Sequence, residues 1–347
     1  MSGLPDGGPL EYTKGRGVMT VNTRVLVNDF TYHVPATLDE ALAFLDRYGE
    51  DAEVLAGGTD LIVQMKLGRR SPQAVVDVSR LQELKHLEAG EKVRIGAGRR
   101  YMDVLPYLRD LGRYDSLAEA IDSIGKLQVL SVGTIGGNLG NGSPAADTPP
   151  PLISFDASVR VMSAQSVRTV ALGEFHTGPG RTALAPNELI IDVEWDAFPD
   201  GKASAFRKLT RVASDISKVT CAVTLQRDGD ICTACRVALG AVGPTPLRAE
   251  IAEAKLEGQR IDDALVDEGA RLVVETISPI DDIRCTELYR RETAGVLFKD
   301  AFQAAWERAA CWPAVPRPSS SRSTVPSTCS WSSRTHCLSP SCATSSG

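Results

Sequence analysis

The amino-acid sequence predicts a mixed fold, in which an α/β part is followed by an α+β domain, and three observations support this prediction. Strand-like and helix-like patterns alternate as far as about residue 130, which is typical of α/β architecture. Between residues 203 and 310, alternating apolar residues at 219–225 and 232–239 predict strands, and helical patterns dominate from Ala249 onward. Two glycine-rich loops, at residues 56–61 and 133–147, interrupt the first part.

The composition is that of an ordinary globular protein. The 347 residues carry a net charge of −6, with 43% hydrophobic and 24% charged residues, and this length suffices for two or three domains. No basic run suggests a nucleic-acid partner, and no apolar run is long enough to predict a membrane span. Residues 1–17 lack the apolar core of a signal peptide. We therefore expect a cytoplasmic protein.

The predicted elements can be followed along the chain. Thr37 and Glu40 form a capping box that opens a helix. A short strand at 54–55 leads into the first glycine loop, and a short helix at 60–67 leaves it. Further strands are predicted at 74–78, 93–95, 159–162, 168–170 and 189–193. Further helices are predicted at 102–111, 117–124, 261–276 and 289–309.

The two glycine loops carry the main functional signal. Residues 56–61 have the sequence Ala-Gly-Gly-Thr-Asp-Leu, and residues 133–147 begin Gly-Thr-Ile-Gly-Gly-Asn. Glycine leaves backbone N–H groups uncovered and permits positive φ, which we expect at Gly137, so such loops can approach a phosphate closely. Neither loop matches the P-loop or the dinucleotide fingerprint. Together they predict one long anionic ligand held at two places. The prolines 149–151 that follow are expected to exclude a helix.

Other reactive side chains give weaker signals. Cys232 and Cys235 have the spacing of metal ligands, but residues i and i+3 of a strand point to opposite faces, which favours a strand interior. In residues 206–208, Phe-Arg-Lys, a cation could face the glycine loops across a cleft, although a solvated strand edge is the more ordinary interpretation. Three histidines are isolated and are interpreted as surface or core residues: His33, His86 and His176.

Taken together, the paired loops resemble those of the FAD-binding medium subunit of molybdenum hydroxylases, the family of xanthine dehydrogenase and carbon monoxide dehydrogenase. The resemblance covers roughly residues 29–310, and it includes residues 32–41, residues 141–147 and the Tyr289-Arg290-Arg291 region. It implies a two-subdomain FAD-binding domain of the PCMH type, followed by a C-terminal α+β domain of the CO-dehydrogenase flavoprotein type.

This resemblance, together with the composition, predicts four segments. Residues 1–28 are expected to form a flexible leader. Residues 29–200 are expected to form the FAD-binding domain, with its two subdomains divided near residue 85, and residues 201–310 the C-terminal domain. Residues 311–347 are rich in serine and proline and contain no acidic residue, which predicts a disordered or aberrant tail.

The resemblance also implies the positions that bind FAD. The two loops would surround the pyrophosphate with backbone amides, Asp147 would bind a polar part of the cofactor, and Lys208 would supply a basic contact. Ile124 would lie against the flavin, with Leu189 or Ile191 at another apolar position. The predicted cofactor-binding residues are Val54, Leu55, Ala56, Gly57, Gly58, Thr59, Asp60, Leu61, Ile124, Thr134, Ile135, Gly136, Gly137, Asn138, Asp147, Leu189, Ile191 and Lys208. No catalytic and no metal-binding residue is predicted.

The family further implies an oxidoreductase made of several subunits. A small partner subunit would carry two [2Fe–2S] clusters, a large one would carry molybdopterin, and FAD would pass an electron pair to NAD⁺ or another acceptor. Residues 143–148 favour the xanthine dehydrogenase-like branch over the carbon monoxide branch. Two alternatives stay open: a free-standing FAD oxidase of the related fold, and a flavin-free assembly module.

Overall fold

The computed structural model describes Leu26, residues 28–213 and residues 215–310, and it contains both helices and strands throughout. The mixed fold class predicted from the sequence is confirmed. Most of the predicted leader and all of the predicted tail at 311–347 lie outside the described residues.

A small parallel sheet opens the fold. Its three strands are ordered β1-β3-β2: β1 (Thr31–His33), β2 (Ala52–Leu55) and β3 (Ala74–Asp77). Two helices accompany them: α1 (Leu38–Tyr48) and α2 (Leu61–Lys66). The buried face of α1, including Leu42 and Leu45, packs in one cluster with Val76 and Val78 of the β3 region. This packing positions the end of β2, where the first glycine loop begins.

The N-terminus of α1 is capped much as its sequence predicts. The Thr37 hydroxyl accepts a hydrogen bond from the Glu40 N–H at 3.2 Å. The Glu40 carboxylate accepts one from the Ala36 N–H at 2.7 Å, one residue before the cap. The capping box is therefore present, with its second bond shifted by one residue.

A five-stranded antiparallel sheet forms the second layer. Its order is β4-β5-β10-β6-β7, with the strands β4 (Leu87–Ala89), β5 (Lys92–Gly96), β6 (Ser158–Met162), β7 (Val167–Ala171) and β10 (Leu189–Asp196). Strand β10 lies between β5 and β6, although β5 precedes it by more than ninety residues. A separate hairpin is formed by β8 (His176–Gly178) and β9 (Arg181–Thr182). The helices of this part are α3 (Tyr101–Leu111), α4 (Asp115–Asp122), α5 (Leu127–Leu130), α6 (Ile135–Gly140), α7 (Pro149–Ser154) and α8 (Leu172–Phe175).

The expectation that prolines 149–151 exclude a helix is wrong. They form the first turn of α7, directly after Thr148. Proline is tolerated there because the first N–H groups of a helix have no intrahelical acceptor, and its fixed φ suits the helix. The prolines therefore mark where a helix begins.

The C-terminal part is an antiparallel sheet covered by helices. Its strands are β11 (Lys202–Leu209), β12 (Val219–Asp228), β13 (Ile231–Gly240), β14 (Leu247–Arg248) and β15 (Gln259–Arg260). Its helices are α9 (Glu250–Leu256), α10 (Asp263–Thr276) and α11 (Glu287–Ala310). Phe298 and Phe302 of α11 pack against the buried face of the sheet, in one cluster with Val223 and Leu239. No helix among the described residues is long and apolar enough to cross a membrane.

A bulge in β13 changes the expected geometry of its two cysteines. Gln226 pairs with Ala234 and Arg227 pairs with Cys232, so Thr233 is an extra residue in the strand. Cys232 and Cys235 are both fully buried in the same core, with their thiols within hydrogen-bonding reach. The expectation that they point to opposite faces is wrong, because the extra residue in the bulge places both side chains on the same face of the sheet. Their interpretation as interior strand residues is confirmed.

Candidate functional site

A cavity of about 730 Å³ lies between the small parallel sheet and the five-stranded sheet. Both glycine loops line it, together with residues from α3, α5, the β8–β9 hairpin and the start of β10. This volume is within the range of pockets that hold small molecules and cofactors. The two loops, which are distant in sequence, therefore meet at one site.

The first loop connects β2 to α2 and touches the backbone of the second loop region. Gly58 has φ +70°, the left-handed region that glycine adopts without strain. A Cβ atom on Gly57 would lie only 2.1 Å from the Val132 carbonyl oxygen. Only glycine at position 57 therefore allows the two backbones to approach this closely.

The second loop contains the short helix α6 and not an open turn. The Thr134 hydroxyl caps α6 by accepting a hydrogen bond from the Gly137 N–H at 3.1 Å. The expectation of positive φ at Gly137 is wrong, because this residue lies inside the helix and only Gly142 of the second loop has φ in the left-handed region. Gly136 is the crowded position, since its Cβ would lie 2.5 Å from that of Ala97.

A side-chain hydrogen bond joins the two loop regions. Gln64 of α2 donates through Nε2 to Asn141 Oδ1 at 3.2 Å, just after α6 ends. Both residues line the cavity. Sequence analysis did not identify Gln64, because an isolated glutamine on a short helix gives no functional signal.

Most of the predicted site residues line this cavity, and five do not. The lining includes Val54, Ala56, Gly57, Gly58, Thr59, Asp60, Leu61, Ile124, Thr134, Gly136, Gly137, Asn138 and Leu189. The residues outside the lining are Leu55, Ile135, Asp147, Ile191 and Lys208. Ile190, and not Ile191, accompanies Leu189 in the cavity wall.

Asp147 and Lys208 form a buried ion pair beside the site. Lys208 Nζ lies 2.7 Å from Asp147 Oδ2 and 3.1 Å from the Ser123 carbonyl oxygen. The Ser217 hydroxyl donates to the other carboxylate oxygen at 2.5 Å. Burial raises the pKa of Asp147, and Lys208 and Ser217 partly oppose this shift. Lys208 is therefore neutralised by a carboxylate, and the pair links the second loop to β11.

Two further side chains of the cavity wall were not identified from the sequence. The Tyr101 side chain packs against Gly133 and is 2% exposed. Its hydroxyl has no hydrogen-bond partner among the described residues; the neighbouring Thr148 hydroxyl donates to Asn138 Oδ1 at 2.6 Å. Burial, with a contribution from the Asp147 charge, raises the pKa of Tyr101. Arg181 is exposed at the cavity wall and forms no ion pair with any described residue.

The three histidines among the described residues have separate structural surroundings. His33 is buried and stacks on Phe44 with ring centroids 4.1 Å apart, and His176 is buried beside the Phe175 ring. His86 Nε2 lies 2.9 Å from the fully buried Asp192 carboxylate. Among the described residues, no group of three or more histidine, cysteine or acidic side chains is arranged to hold a metal ion.

Comparison with known proteins identifies the family. A model of the FAD-binding domain in molybdopterin dehydrogenases matches residues 28–195, and a model of the CO dehydrogenase flavoprotein C-terminal domain matches residues 204–305. The carbon monoxide dehydrogenase medium chain of Hydrogenophaga pseudoflava is 34% identical over 282 residues, which cover 81% of this chain and 98% of that one. The chain belongs to the family of FAD-binding medium subunits of molybdopterin dehydrogenases.

Solved structures and other relatives agree with this membership. One solved structure is carbon monoxide dehydrogenase from Hydrogenophaga pseudoflava, in a form that lacks the Mo-pyranopterin moiety of the molybdenum cofactor. One of its chains matches this chain with a TM-score of 0.78 and 36% identity, and the match covers 80% of this chain and 98% of that one. The putative xanthine dehydrogenase FAD-binding subunit of Escherichia coli K12 is 28% identical over 279 residues, 79% of this chain and 95% of that one. The chain is thus an FAD-binding component of an oxidoreductase, and the family predicted from the sequence is confirmed.

The residues of the cavity fit FAD. Because Gly57 and Gly136 have no side chain, the backbone of both loops forms part of the cavity wall. The aliphatic side chains of Ile124 and Leu189 suit the flavin ring. The Tyr101 hydroxyl is a buried polar group that lacks a partner within the described chain. A cofactor with both an apolar ring and polar groups matches this combination of donors and apolar surface.

Proposed function

We propose that this chain binds FAD in the cavity between the two glycine loops and acts as the electron-transfer subunit of a molybdenum hydroxylase. One observation carries the proposal: Gly57 packs against the Val132 carbonyl, so the two loops that resemble the family's FAD loops form one cavity. The chemistry that FAD supplies is acceptance of electrons from one partner and their transfer to another. The protein binds and orients the cofactor.

In this proposal each part of the cavity has a separate role. Backbone groups of residues 56–61 and 134–138 approach the diphosphate, because these loops lack bulky side chains at their crowded positions. Val54, Ile124 and Leu189 contribute apolar surface for the ring. Lys208 is already paired with Asp147, so we assign it a role in holding the end of the second glycine loop in place. Arg181 is the better candidate for a cation beside the diphosphate.

The predicted partners complete the proposed electron path. We propose a small subunit with [2Fe–2S] clusters as donor, a large molybdopterin subunit that oxidises the substrate, and NAD⁺ or another acceptor. The predicted xanthine dehydrogenase-like branch has less support than the carbon monoxide dehydrogenase type, because the corresponding relatives are 28% and 34% identical to this chain. We therefore propose a medium subunit nearer the carbon monoxide dehydrogenase type.

The proposed domain division follows the same pattern. We propose a FAD-binding domain at 29–200, divided near residue 85, and a C-terminal domain at 201–310. Matches of the two family models to residues 28–195 and 204–305 support the main boundary. The start of β4 at Leu87 supports the inner division, because this strand opens the five-stranded sheet.

An absorption spectrum of the purified chain, followed by acid release and chromatography of the cofactor, tests the proposal. We expect the visible bands of oxidised flavin and release of FAD without a covalent bond. Co-expression with the two proposed partner subunits should then give a complex in which reduction of the molybdopterin subunit bleaches the flavin absorption. A folded chain that neither contains FAD nor binds it on reconstitution would contradict the proposed function.

A further inference from the structure

Arg290 in the Tyr289–Arg291 stretch does not line the cavity, yet its environment is unusual. It is 4% exposed, although it lies near the start of α11. Its Nη1 donates to the Lys218 carbonyl at 3.0 Å and to the Ala241 carbonyl at 2.5 Å. Its Nη2 lies 2.8 Å from Asp282 Oδ1. Burying a guanidinium is costly unless it is paired. These contacts tie Arg290 to three separate segments, two through backbone carbonyls and one through the Asp282 side chain.

Both carbonyls belong to segments that hold the second glycine loop. The Ala241 N–H donates to the Pro144 carbonyl at 2.8 Å. Ser217, directly before Lys218, donates to Asp147 Oδ1 at 2.5 Å. Arg290 therefore anchors the two backbone segments that hold the turn from Pro144 to Asp147.

This turn leads directly to the cavity wall. Thr148 follows Asp147 and donates through its hydroxyl to Asn138 Oδ1 at 2.6 Å, and Asn138 lines the cavity. The Asp147 charge also contributes to raising the pKa of Tyr101, another residue of the wall. Asp147 is thus linked to two side chains of the cavity wall, to Asn138 through Thr148 and to Tyr101 through its charge.

The backbone at Ala241 is strained in support of the same arrangement. Its φ is +61°, in the left-handed region that non-glycine residues rarely adopt. Such a conformation is unfavourable and persists only where the surroundings enforce it. The conformation of Ala241 is held by two hydrogen bonds, because Arg290 donates to its carbonyl oxygen and the Pro144 carbonyl oxygen accepts from its N–H.

We propose that Arg290 is a positioning residue of the flavin site, which acts through Ala241 and Ser217 to fix Asp147 and, beyond it, Asn138. The proposal rests on the proposed function, because it requires that FAD binds in the cavity. It gives the Tyr289–Arg291 stretch a role in cofactor binding at a distance, without contact to the cofactor.

The experiment compares Arg290→Lys with Arg308→Lys in the full chain. Lysine keeps the charge, but its single nitrogen cannot take the place of the two guanidinium nitrogens that contact the two carbonyls and Asp282. Arg308 is the matched control, because it lies on the same helix and donates to the Ser204 carbonyl at 2.7 Å while pairing with Glu119. Titration of the apo chain with FAD, followed by flavin fluorescence, gives the Kd. The visible circular dichroism of the bound flavin reports its orientation.

We expect Arg290→Lys to weaken FAD binding about tenfold, or about 1.4 kcal/mol, because Asp147 and Asn138 are no longer held in one position, and to change the visible dichroism. Arg308→Lys should lower the melting temperature and leave both flavin properties unchanged. Ser217→Ala provides the coupling test, because two substitutions on one path should be non-additive. The Kd of the double variant Arg290→Lys/Ser217→Ala should therefore be about equal to the larger of the two Kd values measured for the single variants.

An Arg290→Lys chain with the wild-type Kd and dichroism would overturn this role, and so would full additivity with Ser217→Ala. If Arg290→Lys does not fold, Asp282→Asn replaces it, because loss of the carboxylate that pairs with the buried guanidinium should loosen its hold on the Lys218 and Ala241 carbonyls. FAD affinity that is unchanged in Asp282→Asn would then overturn the role of Arg290. A folded wild-type chain that binds no FAD would instead refute the proposed function, and with it the role of Arg290.

Discussion

Replacing Gly57 by alanine tests whether the contact between the two loops creates the cofactor site. The added Cβ would lie 2.1 Å from the Val132 carbonyl oxygen and 2.7 Å from its carbonyl carbon. Both atoms are backbone, so no side-chain rotation can relieve the contact. Ordinary contact begins at 3.4 Å, and the two backbones must therefore separate by about 1.3 Å (3.4 minus 2.1).

This separation should affect both stability and cofactor binding. Overpacking by one methyl group typically costs about 1–3 kcal/mol, and we expect the free energy of unfolding of the apo chain to fall by that amount. A movement of this size also breaks hydrogen bonds from one loop to a ligand held by both. We therefore expect FAD affinity to fall by about tenfold to a hundredfold, each factor of ten being about 1.4 kcal/mol.

Two alanine variants serve as comparisons. Gly173→Ala is the matched control, because a Cβ there meets no atom within 4 Å, and we expect wild-type stability and FAD affinity. Gly137→Ala should be intermediate, since its Cβ meets only the Thr134 hydroxyl, at 3.0 Å. Denaturant unfolding and FAD titration measure both quantities. If Gly57→Ala and Gly173→Ala both behave as the wild type, the loop contact does not determine the site and our reasoning is refuted.

Three other changes give separate expectations. Tyr101→Phe removes a buried hydroxyl without a partner, so the free energy of unfolding of the apo chain should stay the same or rise by about 1 kcal/mol. FAD affinity should fall. Unchanged affinity would show that this hydroxyl does not contact the cofactor. Hydrogen bonds from Arg168 are the main cause that lowers the pKa of Glu188. The ionised Glu188 side chain therefore stabilises the fold above the ordinary carboxyl pKa, and this stabilisation is lost as the pH falls through the lowered pKa. The difference in unfolding free energy between wild type and Glu188→Gln should therefore shrink below about pH 4, and a pH-independent difference would contradict this assignment. Ala241→Gly should raise the free energy of unfolding by about 0.5–1 kcal/mol, because glycine accepts a φ of +61°; a decrease measured by denaturant unfolding would show that the Ala241 side chain contributes more than its strain costs.

Local signals in the sequence were sufficient to predict most elements. The capping box at Thr37 and the helix after it depend on residues a few positions apart, and the structure places them where the pattern indicates. The first glycine loop, between a strand and a helix, was predicted for the same reason. Element type in these segments depends on contacts within one or two turns.

Features that depend on distant pairing were not predicted. The insertion of β10 between β5 and β6 joins residues about a hundred positions apart, and no local pattern specifies it. The contact between Lys208 and the cofactor stays a prediction, but no local pattern indicated the ion pair of Lys208 with Asp147. Gly137 was expected to have positive φ, but it lies inside α6, where the crowded glycine is Gly136 because Ala97 packs against it. These outcomes are set by tertiary packing.

The ion pair between Asp147 and Lys208 makes the two domains of this subunit interdependent. A fragment that ends near residue 200 would retain Asp147 and the Ser154 hydroxyl but lose their partners Lys208, Ser217 and Thr224. A buried carboxylate would then face water without its counter-charge, beside the cavity wall. The isolated N-terminal fragment should therefore be a poor flavin carrier, even though every glycine of both loops is present. Production of the two halves as separate chains in one cell should restore binding, because the contacts that complete the site are non-covalent.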